Sequence, residues 1–327
     1  MRFWFYSMFI LFCSCVPKAF SLTESDVLAT FHSAQAGDPY SQYNVGLMYE
    51  NGQGVPQSFH EAALWYEKSA RQGNMNAQFN LGFLFDNGMG VIQDFRQAVY
   101  WYQAAAAQGN PYAEYNLGLM YESGQGVKLD PTQAYQWLIK AARQGHADAQ
   151  LAVGLKLLEG QTVKKDLEEA FKWIDKSANQ HNFSAIFQLA HLYQQGIGTK
   201  ADPKKAFSLM QHAAENGNPT AQFNLSLFYQ QALGTEKDET KAFEWMEKSA
   251  KQGNAQAQSD LAVMFAEGKG TSKDLIQAYA WAAVANASGS MNAAVNKIAI
   301  EKLLDEKAQN EAENLAFDYY QKFKRKS

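Results

Sequence analysis

Residues 110–145 read NPYAEYNLGLMYESGQGVKLDPTQAYQWLIKAARQG, and nearly every feature of this stretch returns 36 positions before and after it. Asn110-Pro111 opens a helix: the Asn side chain can accept from orphan amides, and Pro brings a φ already set for the first turn. Ala113, Leu117, Met120 and Tyr121 follow at helical spacing. Gly124 and Gly126 break that pattern and turn the chain. Asp130-Pro131 then starts a second helix, which carries Ala134 and Trp137 and closes at Gly145, where a left-handed cap favours glycine.

Extended along the chain, the unit gives columns. Trp65, Trp101, Trp137, Trp173, Trp245 and Trp281 lie on one lattice of spacing 36, with Leu209 in the missing place. Ala62, Ala98, Ala134, Ala170, Ala206, Ala242 and Ala278 form another. Gly46, Gly82, Gly118 and Gly154 continue as Ala190, Ser226 and Ala262. A mid-helix Gly costs about 1 kcal/mol against Ala, so its recurrence predicts close approach of a neighbouring helix. Ser58, Asp94, Asp130, Asp166, Asp202, Asp238 and Asp274 precede the second helices; seven equivalent placements point to N-caps, not to catalytic carboxylate pairs. The glycine pairs, such as Gly88/Gly90, follow no strand and precede no Lys-Ser or Lys-Thr, which makes them turns and not phosphate loops. A fixed period of this length predicts an all-α fold: a right-handed α/α solenoid of seven 36-residue two-helix repeats with helical caps. The repeats are 38–73, 74–109, 110–145, 146–181, 182–217, 218–253 and 254–289.

The flanks differ. Arg2, the apolar run Phe3 to Phe12 and the small residues around Ala19-Phe20-Ser21 read as a signal peptide over 1–21, with a mature chain from about Leu22. A lipid anchor at Cys15 is the competing reading and the one route to membrane attachment; an uncleaved anchor is disfavoured by the shortness of the apolar run. Both cysteines, Cys13 and Cys15, fall in this segment, so cleavage removes all thiol chemistry. Losing Arg2 and Lys18 leaves 27 basic against 33 acidic residues, about −6, which argues against nucleic acid as a partner. The stretch 22–37 holds an expected capping helix, Thr23 to Gln35, with Val27, Leu28 and Phe31 as its apolar face. At the other end, 290–327 holds two further capping helices, 290–304 and 305–325, and a solvated basic tail, Lys322-Phe323-Lys324-Arg325-Lys326.

The pattern Tyr49-x-x-Gly52-x-Gly54-Val55, Ala62-x-x-Trp65 and Ala70-x-Gln72-Gly73, recurring over about 38–289, resembles the Sel-one-like repeat family, relatives of the tetratricopeptide repeats. The resemblance implies an exported bacterial adaptor or scaffold, acting in signalling, envelope maintenance or host-cell contact, with no active site in the repeat itself. In tetratricopeptide arrays the first helix of each repeat lines a concave groove. Carried over on the small residue Gly46, that arrangement implies concave columns here: Tyr40, Tyr43, Leu47 and Glu50; Asn76, Phe79, Phe83 and Asp86; Tyr112, Tyr115, Leu119 and Glu122. The strip is aromatic with acidic margins, suited to a protein or peptide ligand with basic residues. Asn44, Asn80, Asn116 and Asn224 form a column that could bond a peptide backbone or, as the favoured reading, a neighbouring repeat.

Repeats four and five depart from the pattern together. Thr162 replaces a turn Gly, His181 a capping Gly and Leu209 the Trp, while His191 and Lys156 enter columns that are otherwise apolar. Weakened packing is the preferred expectation, with a bend or a second contact zone as alternatives. Only His181, His191 and His212 could converge on a metal; the six histidines show no ligand spacing, and Ser-x-x-Lys, His-Glu-x-x-His and Gly-x-Ser-x-Gly motifs do not occur. The expectation is therefore no catalytic residue, cofactor or metal site, in a periplasmic or secreted scaffold of open oligomeric state. The rival reading is an envelope hydrolase acting on cell-wall material or β-lactams, or a regulator of such an enzyme.

Overall fold

The computed structural model describes residues 23–323; the expected signal peptide 1–21, with both cysteines, and residues 324–327 of the basic tail lie outside the described residues. Helix A of the seven repeats is α2 (Pro39–Asn51), α4 (Met75–Asn87), α6 (Pro111–Ser123), α8 (Ala147–Glu159), α10 (Phe183–Gln195), α12 (Pro219–Gln231) and α14 (Ala255–Glu267). Helix B is α3 (Phe59–Arg71), α5 (Phe95–Ala107), α7 (Pro131–Arg143), α9 (Leu167–Ala178), α11 (Pro203–Glu215), α13 (Glu239–Lys251) and α15 (Leu275–Ala287). With α1 (Glu24–Gln35), α16 (Met291–Glu301) and α17 (Glu306–Phe323) these make seventeen helices and no strand among the described residues, an α/α solenoid of two-helix repeats. The helices fall into two compact units, one ending at Trp137 and the other beginning at Leu138.

Local chemistry sets the helix ends where the sequence places them. Asp94 Oδ1 accepts from the amides of Arg96 and Gln97, Asp130 Oδ1 from those of Thr132 and Gln133, and Ser58, Asp166, Asp202, Asp238 and Asp274 act likewise. The seven carboxylate and hydroxyl positions are caps. Helix A is capped in the same way by Asp38, Asn74, Asn110, Asn182, Asn218 and Asn254, and by His146 Nδ1 at 3.2 Å from the Ala149 amide. At the turn between helices the second glycine is required twice over. Gly126 sits at φ +70°, and a Cβ there would run into the backbone of Phe95, which starts helix B of the preceding repeat. Among the described residues two hold left-handed backbone without being Gly, His181 at φ 62° and Ala232 at φ 55°.

Packing follows the small column. A Cβ on Gly154 would lie 2.5 Å from Ile174 Cγ1, and one on Gly82 would lie 2.9 Å from the Tyr102 ring, so helix B of the same repeat rests directly on helix A. The residue that fills this contact is the one after the tryptophan: Tyr66, Tyr102, Ile174, Met210 and Met246 are at most 1% exposed. The Trp column itself is only partly interior. Trp101, Trp173 and Trp281 are buried, whereas Trp65, Trp137 and Trp245 are half-buried, with Lys68 and Lys248 ammonium groups over the rings of Trp65 and Trp245. Weakened packing at repeats four and five is likewise corrected. Met210 is fully buried, Leu209 packs on the same core, and that core runs unbroken from Ile174 to Ala312.

A buried polar ladder also joins the repeats. Gln42, Gln78, Gln150, Gln222 and Gln258 are at most 7% exposed. Each donates Nε2 to the carbonyl of Ala34, Ala70, Ala142, Ala214 or Ala250, eight residues earlier, at 3.1–3.2 Å. Four accept in return, Gln42 from Gln72, Gln78 from Gln108, Gln150 from Gln180 and Gln222 from Gln252, at 2.7–2.8 Å. Only Gln258 Oε1 stands without a partner; Ser288 occupies the place of its donor.

The caps form as helices at both ends. Thr23 closes a capping box with Asp26 at the start of α1. Phe31 meets Tyr49 and Trp65 edge-on and Val27 adjoins Gly54, but Leu28, expected on the apolar face, is 54% exposed. At the other end Tyr319 and Phe323 of α17 pack on the Trp281 ring of α15.

Candidate interaction surface

The twelve strip residues all lie on helix A of the first three repeats, within the unit that ends at Trp137. None is buried. Tyr40, Asn76, Tyr112, Leu119 and Glu122 are exposed, and Tyr43, Leu47, Glu50, Phe79, Phe83, Asp86 and Tyr115 are half-buried. The half-buried rings rest on helix B, Tyr43 lying 5.7 Å from the Tyr66 ring and Phe79 5.9 Å from that of Tyr102, and Phe79 also lies 5.9 Å from Tyr112 on helix A of the next repeat. Aromatic pairs at such spacing fix each other's orientation, so Tyr112 stands as a braced ring.

The acidic margin is tied to the same rings. The Tyr66 hydroxyl donates to Glu50, and the Tyr102 hydroxyl donates to Asp86 at 3.3 Å. Burial, reinforced by these carboxylates, pushes both hydroxyls far above the ordinary phenol range, so they act as donors only. Burial also raises the Asp86 carboxyl, with the Tyr102 hydrogen bond opposing it. The Asn80 amide reaches the Tyr43 and Tyr66 hydroxyls and Asn116 that of Tyr102, while Asn224 donates to its own helix at Thr220. These members of the Asn column bond locally. Glu50 and Asp86 therefore hold the scaffold together as well as colouring its surface, a double use that no repeat of residue types in the sequence announces.

Elsewhere the chemistry is sparse. His181 and His212 approach with ring centroids 6.2 Å apart, but no group of three or more His, Cys, Asp or Glu that could hold a metal converges among the described residues. No helix among them is long and apolar enough to cross a membrane. The turns of repeats two and three form open recesses beside Ile92 and Leu129, 91% and 56% exposed.

Stacked helix pairs with sequestered polar ladders and an accessible aromatic strip define a repeat protein of the interaction-scaffold class. The Sel1 repeat family matches residues 39–74, 76–110, 111–146, 147–182, 183–218, 219–254 and 255–290, and the chain belongs to that family. Sel1 repeats are typically non-catalytic scaffolds that mediate protein–protein interaction. Among solved structures, the chain is similar to a Sel1 repeat protein from Oxalobacter formigenes at 31% identity and TM-score 0.71, covering 83% of this chain and 79% of that one. It is also similar to a protective antigen present in uropathogenic Escherichia coli strains that displays an SLR fold, at 30% identity and TM-score 0.52, covering 91% and 72%. A comparison with curated proteins returned no match.

Proposed function

We propose that this chain is an exported, non-enzymatic scaffold that binds a protein or peptide segment along the helix A strip of repeats one to three. One observation carries the reading: Tyr40, Asn76 and Tyr112 recur on a single column and are all exposed, Tyr40 at 72% and Tyr112 at 39%. Large rings held rigidly at a surface lose little entropy on binding and supply much of the energy of many interfaces. The carboxylates of Glu50, Asp86 and Glu122 along the same helices favour a partner with basic side chains. A setting at the envelope or in host contact is supported by the expected signal peptide and by the related protective antigen of uropathogenic Escherichia coli.

The test is partner capture from envelope and host extracts, with the chain purified from an export-competent host beside its Tyr40→Ala/Asn76→Ala/Tyr112→Ala variant. Tyr40 and Asn76 project from the packed layer and Tyr112 gives up its ring contact with Phe79, so helicity is expected to be unchanged. A partner retained by the native chain and lost by the variant supports the strip; an identical partner list for both rejects it.

A further inference from the structure

Among the described residues the repeat lattice is open at both ends, and the two openings fit each other. α1 stands in the register of a helix B, its Glu24–Gln35 aligning 36 positions before 60–71 of α3, with no helix A before it among the described residues. α16 stands in the register of a helix A, aligning 36 positions after 255–265 of α14. α17 does not complete that repeat. The lattice would start its helix B at 311, but α17 starts at Glu306 and lies along α15, with the Tyr319 hydroxyl donating to Gln277 at 2.9 Å. Val295 and Ile298 are left 69% and 53% exposed on the face where, in repeats one, two and four, helix B packs on Gly46, Gly82 and Gly154.

What covers this face is written in paired departures from the repeat. Inside the array a small residue on helix A meets a large one on helix B, as Gly46 meets Tyr66 and Gly154 meets Ile174. At the ends the sizes are exchanged: the helix A place holds Ile298 and the helix B place in α1 holds Thr30. The second pair is charged. Glu50 stands at the level where helix B begins, because the Ser58 amide donates to the Tyr49 carbonyl at 2.8 Å. The lattice counterpart of Glu50 is Lys302, exposed at the end of α16, and the Ala62 place in the first turns of helix B is Asp26 in α1. The third is the glutamine ladder, whose Gln42–Gln72 bond is replaced at the ends by Ala294 and Ala36, so that neither side buries an amide without its partner. A fourth position is kept. Ser33 falls in the column of Ser69, Ser177 and Ser249, each of which donates to a first-turn carbonyl of helix A at 2.6–2.7 Å.

We infer that α1 of one copy docks on α16 of a second copy and supplies the missing helix B, joining copies head to tail. The contact is heterologous, so it propagates into chains or closes into a ring. It rests on removal of the signal peptide, whose residues 3–15 fall at the lattice place of the helix A before α1.

The test is sedimentation velocity across a concentration series, on chain recovered from an export-competent host with its N-terminus determined by mass spectrometry. The expected result is a chain starting near residue 22 whose mass rises with concentration. Asp26→Lys alone and Lys302→Glu alone should each weaken association about tenfold, the loss expected from about 1.4 kcal/mol. The double variant, or a mixture of the two single variants, should restore it. Both changes are at exposed sites; Lys302→Glu should leave the helicity and melting of the monomer unchanged, whereas Asp26→Lys also opens the Thr23 capping box, so the charge reading rests on the Lys302→Glu loss and on its rescue in the double variant and the mixture. A processed chain that stays monomeric throughout, association unaffected by either single variant, or single-variant losses that the double variant does not restore would each overturn the inference. So would a chain that retains residues 1–21. Because Tyr40, Asn76 and Tyr112 belong to α2, α4 and α6, and not to α1 or α16, loss of partner capture in their variant is read separately from this outcome.

Discussion

Gly154→Ala puts the packing logic of the array to a quantitative test. An Ala in the middle of α8 gains about 1 kcal/mol of helix propensity over Gly, so an open site would be stabilised. The site is closed: the added Cβ would sit 2.5 Å from Ile174 Cγ1 and 3.1 Å from the Ala170 carbonyl. Ile174 is fully buried, and the backbone of α9 cannot retreat without disturbing its own contacts with α10, so overpacking of about 2–3 kcal/mol is expected. The net effect is a loss of about 1–2 kcal/mol. The next repeat shows the remedy, since it carries Ala190 on helix A and Met210, unbranched at Cβ and flexible, on helix B. Ile174→Met alone should cost less than about 1.5 kcal/mol. The double variant should recover most of the glycine loss, with a coupling of about 1 kcal/mol in a double-mutant cycle.

The assay is hydrogen exchange of amides in α8 and α9, read beside thermal unfolding, because nearest-neighbour coupling makes the effect local before it is global. A neutral or stabilising Gly154→Ala would refute the close-contact reading. Additivity of the two changes within about 0.3 kcal/mol would show that Gly154 and Ile174 do not constrain one another.

Two further outcomes follow from the polar network. Ser288→Gln places an amide where Gln72, Gln108, Gln180 and Gln252 sit in their repeats, giving Gln258 Oε1 its absent donor; a gain of about 1 kcal/mol is expected, read as slower exchange in α14 and α15. Asp86→Asn should stabilise the first unit at neutral pH, since burial raises the Asp86 carboxyl and the folded state favours its protonated form; that advantage should shrink as pH falls through the raised Asp86 value and be gone below the ordinary carboxylate range of about 4, as measured by urea unfolding at a series of pH values, and an advantage constant with pH would contradict the burial of the charge.

Much of the fold was legible because a 36-residue period turns each weak local signal into seven copies of itself. The caps at Asp94 and Asp130, the turn at Gly126 and the close approach at Gly154 all sit where the columns place them. What the columns concealed was depth. Tryptophan recurs so conspicuously that it reads as the interior, yet the plainer column after it, Tyr66 to Met246, is the one sealed against helix A, and Trp65 and Trp245 carry lysine ammonium groups over their rings. A residue's conservation along a lattice says that its surroundings recur, not that those surroundings are dry. The glutamine ladder was hidden for a related reason: Gln42 and Gln72 look like ordinary surface residues in isolation, and only their offset of 30, one helix A against the following helix B, lets the exposed Gln72 satisfy the buried Gln42 amide.

The proposed interaction strip was legible as a set of helix A columns, but the bonds its side chains make to helix B were not. Reading Glu50 and Asp86 as free acidic margins treats side chains as if each had one duty. The hydroxyls of Tyr66 and Tyr102 already claim these carboxylates from beneath, and a ligand base would have to share them. A carboxylate that accepts a buried phenol is also held in place, which costs a ligand less ordering than a mobile acid would. The consequence is a division of labour along the strip. The half-buried acids and rings fix geometry, whereas Tyr40 and Tyr112, exposed at 72% and 39%, hold the area that binding can remove from water. Substitutions at the first group should therefore register in stability before affinity, and substitutions at the second in affinity alone, an ordering that residue type by itself could not supply because tyrosine stands in both.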